Sequence, residues 1–208
     1  MESSLTQNGL APGQFYGKRW IFYSALGDPA SIRAQDWHLR TSGLIERQID
    51  LTYDALQKLT QIKITRDFQC VTGWSIKDVV WEGVPFQEIA KLTGVKPEAN
   101  WVMFKCADGY TAPVPLEDAM SEDSLIAFKM NGNAIPQHQG YPARPFIPRL
   151  YGWKSAKWLN EIEFMPEYVD GYWEMYGYNE RGNIWEEERF KGMVGKHSRR
   201  NVTGTAPI

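Results

Sequence analysis

A chain of 208 residues holds one sizeable domain or two small ones, and its 43% hydrophobic and 23% charged residues are ordinary for a water-soluble globular protein. The net charge of −2 supplies no basic field for nucleic acid, and no apolar run approaches the roughly 20 residues that span a bilayer. Two cysteines, Cys70 and Cys106, are no disulfide framework; the polar start "MESSLTQNGLAPGQ", without twin arginine or apolar signal core, points to the cytoplasm, where both stay reduced.

In chain order, residues 1–14 read as a polar, partly ordered arm, and "RWIFYSALGDP" (19–29) begins apolar and ends in a Gly-Asp-Pro turn. "DWHLRTSGLIERQIDLT" (36–52) predicts two short strands around Ser42-Gly43. Thr52 is a capping residue for a short helix over 53–59, with Ala55, Leu56 and Leu59 on one face. "QIKITRDFQCV" (61–71) alternates like a half-buried strand and delivers Cys70 just before Thr72-Gly73. "VPFQEIAKLTGV" (84–95) predicts a helix with Pro85 in its first turn and Gly94 at its stop.

"NWVMFKCA" (100–107) predicts a strand ending at Cys106, and "SLIAFKMNGNAI" (124–135) a strand entering an Asn-Gly turn. Residues 136–158 carry four prolines and two glycines punctuated by Tyr, Phe and Trp, the mark of a long ordered loop rather than a flexible linker. "KWLNEIEF" (157–164) closes as a strand, then come "GYWEMYGY", a charged segment and a frayed "KHSRR". With no internal repeat, the mixture gives one α+β domain over residues 1–208, built from mixed sheets and short helices.

Most familiar chemistry is missing. His38, His138 and His197 are far apart, and there is no HExxH, CxxC, GxGxxG after a strand, or GxxxxGK[ST]. Glu186, Glu187 and Glu188 sit in a charge run of the kind that usually faces solvent. What remains is a cysteine at a strand end and a Gly/Pro loop bearing Arg144, Arg149, Lys154 and Lys157, with His138 nearby. A thiolate suits a transition metal, and basic side chains on a folded loop suit phosphate, so the pair points to a metal carried by a phosphorylated organic ligand. An inert buried Cys70 and a surface connection satisfy the same residues.

The order and spacing of several segments resemble the sulfite oxidase family of molybdopterin-binding oxidoreductases, which includes the periplasmic methionine sulfoxide reductase catalytic subunit. The resemblance covers about residues 11–190, through "APGQFYGKRWIFYSALGDP", "DFQCVTGWS", "WEGVPFQEIAKLTGV", "CADGYTAPVPLEDAM" and "MNGNAIPQHQGYPARPFIPRLYGWKSAKWL". It implies an α+β fold of mixed sheets around a deep pocket. It also implies a molybdenum atom held by the dithiolene of one molybdopterin and by one protein cysteine, here Cys70. Tyr23 and Ser24 fall where the opening segment touches the pterin, and Cys106 where the family has a small polar contact. Arg144, Ser155, Ala156 and Lys157 fall where the pterin and its phosphate are gripped. Tyr110 falls on the active-site tyrosine.

The chain departs from the family pattern at Gln139, where His or Asn is common, with His138 one place earlier. It departs again after Cys70, where sulfite-oxidising members place arginines and this chain has Gly73, Trp74 and Ser75. The resemblance therefore implies an enzyme moving an oxygen atom or an electron pair to or from a small substrate other than sulfite, its metal cycling between Mo(VI) and Mo(IV). With no haem domain, electrons pass to a separate partner. The alternative is a non-catalytic cofactor-binding or carrier module of the same fold.

Overall fold

The computed structural model describes residues 9–29 and 31–192. The two-residue β1 (Phe15–Tyr16) comes first. β2 (His38–Gly43) and β3 (Asp50–Thr52) pair antiparallel, but the reversal predicted at Ser42-Gly43 comes later, over residues 44–49. Thr52 accepts the Ala55 N–H at 3.2 Å and starts α1 (Tyr53–Gln57), as its residue type predicts. β4 (Ile62–Gln69) and β5 (Trp74–Pro85) make a long antiparallel hairpin, and α2 (Phe86–Thr93) follows directly. Phe86, Ile89, Ala90 and Thr93 bury one face of α2, the i, i+3, i+4, i+7 spacing of a helical stripe, and Gly94 ends it at φ 65°. β6 (Trp101–Cys106), β7 (Thr111–Pro115), the single turn α3 (Leu116–Ala119) and β8 (Leu125–Met130) come next. An Asn131-Gly132 turn leads into β9 (Asn133–Ala134), and β10 (Arg144–Phe146) and β11 (Leu159–Met165) complete the order.

The strands form two mixed sheets, so the α+β class and the family-type architecture expected of the sequence are what the chain adopts. One sheet runs β1-β5-β8-β10, with β4 also on β5 and β9 also on β8; the other runs β3-β2-β11-β6-β7. Leu39, Phe104, Ile162 and Phe164 of the second sheet share one buried cluster with Val84, Ile126 and Phe128 of the first and with Phe86 and Ile89 of α2. Each such side chain contributes about 1.5–3 kcal/mol by leaving water. A second, aromatic cluster of Phe68, Trp74, Trp81 and Phe146, with Trp20 packed on it, lies under the tip of the β4–β5 hairpin.

Four readings of the sequence change. β5 and β7 are strands that no local pattern announced. The N-terminal arm, expected to be partly ordered, is docked from residue 9: Ala11 is buried and its N–H donates to Gln69 Oε1 at 3.2 Å. The long loop 136–158 contains a strand, β10, and two 3₁₀ turns, Gln137–Gln139 and Gly152–Lys154. "GYWEMYGY" folds back through a 3₁₀ turn at Glu174–Tyr176, while "KHSRR" lies outside the described residues. No helix among the described residues is long and apolar enough to cross a membrane.

Candidate active site

β4 carries Cys70 to the hairpin tip, which is a closed turn: Cys70 N–H donates to Trp74 O at 2.9 Å, and Gly73 N–H to Cys70 O at 3.0 Å. Phe68 and Trp74 are buried on either side, so the thiol is half-buried on a rigid base, 3.2 Å from Thr72 Oγ1. An aromatic wall stands beside it. Burial raises the Tyr178 phenol pKa, and nearby Cys70 and Tyr23 raise it further. Trp173 packs against Tyr178 at 4.9 Å and against Tyr23 at 5.9 Å between ring centroids. Tyr23 is itself exposed.

Strand register builds a second group. Cys106 ends β6 opposite Leu159 at the start of β11, Ala107 N–H donates to Trp158 O at 2.9 Å, and Leu159 N–H donates to Ala143 O at 3.0 Å. These bonds bring Cys106, Lys157 and Arg144 to the same end of the fold. The buried Arg144 guanidinium donates through Nε to Ser155 Oγ at 3.0 Å, through Nη1 to Gln139 O at 2.7 Å and through Nη2 to Ser155 O at 2.5 Å. Three of its five N–H donors are thus spent on the protein, leaving two for a ligand. Burial pulls its pKa down to about 10, against the opposing influence of Cys106 and Tyr110. It also lies over the Phe68 ring at 5.7 Å, which ties this group to the strand that presents Cys70. Gly152 packs against the Cζ edge of that ring, where a Cβ has no room.

Lys157 is the more available cation. Its Nζ donates to Ser24 Oγ at 2.6 Å and to His138 O at 3.3 Å; burial and then Arg144 lower its pKa to about 8, against Asp28, Asp108 and Cys106. Ser24 in turn donates to Asp28. Cys106 is buried and its thiol pKa is pushed well above the ordinary value by that burial and by Asp108, so it stays protonated. Gln139 is buried, and its Oε1 has no hydrogen-bond partner among the described residues. A hollow of about 280 Å³ lined by Asp28, Pro29, Ser31, Gln137, His138 and Trp158 adjoins the group. A larger hollow of about 660 Å³, by Asn100, Leu116 and Arg181, shares no residue with it.

The structure therefore gathers Ser24, Cys106, Gln139, Arg144, Ser155 and Lys157, and the carbonyl but not the imidazole of His138, which is exposed against Phe22 at 4.3 Å. Ala156 is buried in the main core, and Tyr23 belongs to the wall by Cys70. Tyr110 is buried and donates its hydroxyl to Trp153 O at 2.8 Å, beside Cys106, whose N–H donates to Tyr110 O at 3.0 Å. Two of the loop cations are turned elsewhere: Arg149 pairs with Asp118 at 3.0 Å and Lys154 with Glu174 at 2.7 Å. Thr72, Trp173, Tyr178 and Asp108 are additions. Trp173 and Tyr178 had a signal in the aromatic density of "GYWEMYGY"; Thr72 and Asp108 had only their places beside the cysteines.

The family described as the oxidoreductase molybdopterin binding domain matches residues 26–173. The chain is similar to YuiH, an uncharacterized oxidoreductase of Bacillus subtilis, at 40% identity over 154 residues, 74% of this chain and 78% of that protein. It is similar to the protein-methionine-sulfoxide reductase catalytic subunit MsrP of Burkholderia mallei at 29% identity, over 80% of this chain and 56% of that protein. Among solved structures, the sulfane dehydrogenase SoxCD from Paracoccus pantotrophus superposes with a TM-score of 0.60 at 24% identity, over 65% of this chain and 40% of that one. That likeness shows a shared fold.

Proposed function

The chain belongs to the oxidoreductase molybdopterin-binding domain family and is a molybdopterin-dependent oxidoreductase, and on that premise we propose that it exchanges an oxygen atom with a small neutral oxide such as a sulfoxide. The observation that carries this reading is where the neighbouring cations go. Arg66 pairs with Asp123 at 3.0 Å, Lys105 with Glu161 and Glu163 at 2.9 Å each, and Arg149 and Lys154 with the buried Asp118 and Glu174. Beside Cys70 stand a threonine and an aromatic wall, and the Arg189 guanidinium at its turn is spent on Val71 O and Gly13 O.

The residues fit the cofactor. Among the described residues no group of three or more His, Cys, Asp or Glu could hold a metal ion, so a metal at Cys70 takes its other ligands from the molecule that brings it. The orphaned Gln139 Oε1 needs a donor, which a pterin ring supplies, and Lys157 with the two spare Arg144 donors suits its phosphate. In this reading Cys70 ligates molybdenum; Ser24, Cys106, His138 (through its carbonyl), Gln139, Arg144, Ser155, Ala156 and Lys157 shape the pterin site; Tyr23 lines its approach, and Tyr110, buried beside Cys106 with its hydroxyl on Trp153 O, backs the site. When bound, the cofactor supplies the two-electron chemistry. The chain's own part is to fix the thiolate, hold the phosphate and exclude water with its aromatic wall. Electrons come from a separate donor protein.

Purified protein analysed for molybdenum and pterin, then reduced with a viologen dye and offered sulfoxides and N-oxides, tests the reading. Loading followed by turnover is expected. Loading without turnover of any oxide or of sulfite would indicate a carrier.

A further inference from the structure

Three carbonyls of the Cys70 turn are held by segments outside the span that matches the family, residues 26–173. Gln14 Nε2 donates to Cys70 O at 3.0 Å, Phe15 N–H donates to Gly73 O at 2.8 Å, and Arg189 Nη1 donates to Val71 O. Arg189 Nη2 also donates to Gly13 O at 3.2 Å, and its guanidinium lies 5.1 Å from the centre of the Tyr151 ring. Gln14 is oriented in turn, because Ser75 Oγ donates to its Oε1 at 3.0 Å. The contact is close. Gly13 has φ +67°, and a Cβ there would fall 2.5 Å from Glu187 Oε1 and 2.8 Å from Arg189 Nη2. Residues 13–15 and 189, far apart in sequence, thus meet over one four-residue turn.

We propose that Gln14 and Arg189 are positioning residues that clamp the Cys70–Gly73 backbone and so fix the direction of the Cys70 sulfur. A tight turn at a hairpin tip is the part of a sheet that opens most readily, and a metal ligand loses affinity when its supporting shell is loose. Arg189 supplies a charge-assisted bond to Val71 O that no neutral side chain replaces. The inference rests on Cys70 being the metal ligand, and the test separates the two ideas.

In the cofactor-free full-length chain, iodoacetamide alkylation of the Cys70 peptide is followed by mass spectrometry for the unaltered protein, Arg189→Met, Arg189→Lys and Gln14→Ala. Arg189→Met is expected to react about tenfold faster, as loss of a charge-assisted bond permits. Arg189→Lys should fall between it and the unaltered protein. The molybdenum-loaded Arg189→Met and Gln14→Ala proteins should also show a shifted thiolate-to-metal absorption band. Unchanged alkylation in both variants overturns the clamp, and so does faster alkylation with an unmoved band in both loaded proteins. If Arg189→Met does not fold, Gln14→Ala decides on the same two readouts. A chain that never takes up molybdenum sinks the functional reading instead, and the alkylation result still stands as the measure of the clamp.

Discussion

Cys70 offers its sulfur from a turn whose geometry does not depend on the thiol, since the bonds that close it run between backbone groups of Cys70, Gly73 and Trp74. Cys70→Ser should therefore leave the fold intact while removing the thiolate-to-metal absorption and the activity, because a hydroxyl is a harder, weaker ligand for molybdenum. Full activity with an unchanged spectrum would rule the residue out as ligand. Lys157 carries a pH signature. Its pKa of about 8 lies below the ordinary 10.5, so in the cofactor-free fold the charged form is disfavoured and its cost to stability fades as pH rises from about 8 toward 10.5. A bound phosphate reverses that preference, and above about pH 8 binding must bring in a proton. Cofactor retention should thus fall between about pH 7 and about pH 9.5, and Lys157→Met should retain less at every pH with a flatter profile. Equilibrium dialysis of loaded protein measures this. A steep profile that persists in Lys157→Met would assign the proton elsewhere. Cys70, Arg144 and Lys157 stood out because each lies in a locally distinctive stretch. Arg149 and Lys154 misled because their partners, Asp118 and Glu174, are remote in sequence and no local spacing marks a buried ion pair.

At the scale of elements, β4, the apolar runs of β6 and β8, and β11 were legible, whereas β5 and β7 were not. β4 begins with alternating burial and reads as a strand. β5 pairs with β1 and β8 as well as β4, and its burial follows no period of two. β7 was hidden by Pro113 and Pro115, which a sheet tolerates there because β7 is an edge strand. The loop 136–158 is ordered by its contacts with distant elements. Lys154 Nζ, buried, donates to Pro113 O at 2.7 Å, to Glu174 Oε1 at 2.7 Å and to Glu180 O at 2.6 Å, and Trp153 Nε1 donates to the same carboxylate at 2.8 Å. The 3₁₀ turns at 152–154 and 174–176 are therefore one structural unit joined by an ion pair. Glu174→Gln leaves the Lys154 ammonium without its counter-charge in a site where burial already lowers its pKa. Breaking a buried pair from one side costs about 3–5 kcal/mol, so a large drop in the urea midpoint is expected, smaller at high pH where Lys154 sheds its proton. A midpoint equal to that of the unaltered protein would show that the pair does not hold the loop.

For the whole molecule, the decisive quantity is where charge is neutralised. The net charge of −2 is small, and Arg66, Lys105, Arg149 and Lys154 are matched by carboxylates of the same fold, which leaves Arg144 and Lys157 to the cofactor phosphate. Arg189 does reach the Cys70 turn, yet it spends donors on Val71 O and Gly13 O and sits 3.8 Å from Glu187. A doubly charged oxyanion entering beside Cys70 would shed water where Arg66, Lys105, Arg149, Lys154 and Arg189 are already engaged, and several kcal/mol per ion remain unrecovered where a buried charge stays unpaired. A neutral sulfoxide loses far less on entry, and Tyr178, Trp173 and Tyr23 offer aromatic faces to its apolar part. The expected outcome is a kcat/KM for at least one neutral sulfoxide or N-oxide about tenfold or more above that for sulfite, a difference of about 1.4 kcal/mol in transition-state stabilisation. The assay uses fully molybdenum-loaded protein, with dye-linked reduction of the oxides and dye-linked oxidation of sulfite at the same pH and low ionic strength. Sulfite turning over faster than every neutral oxide would mean that a cation now paired elsewhere swings into the mouth. Raising the salt would then slow sulfite selectively, since screening acts on the anion's attraction and not on the neutral oxide.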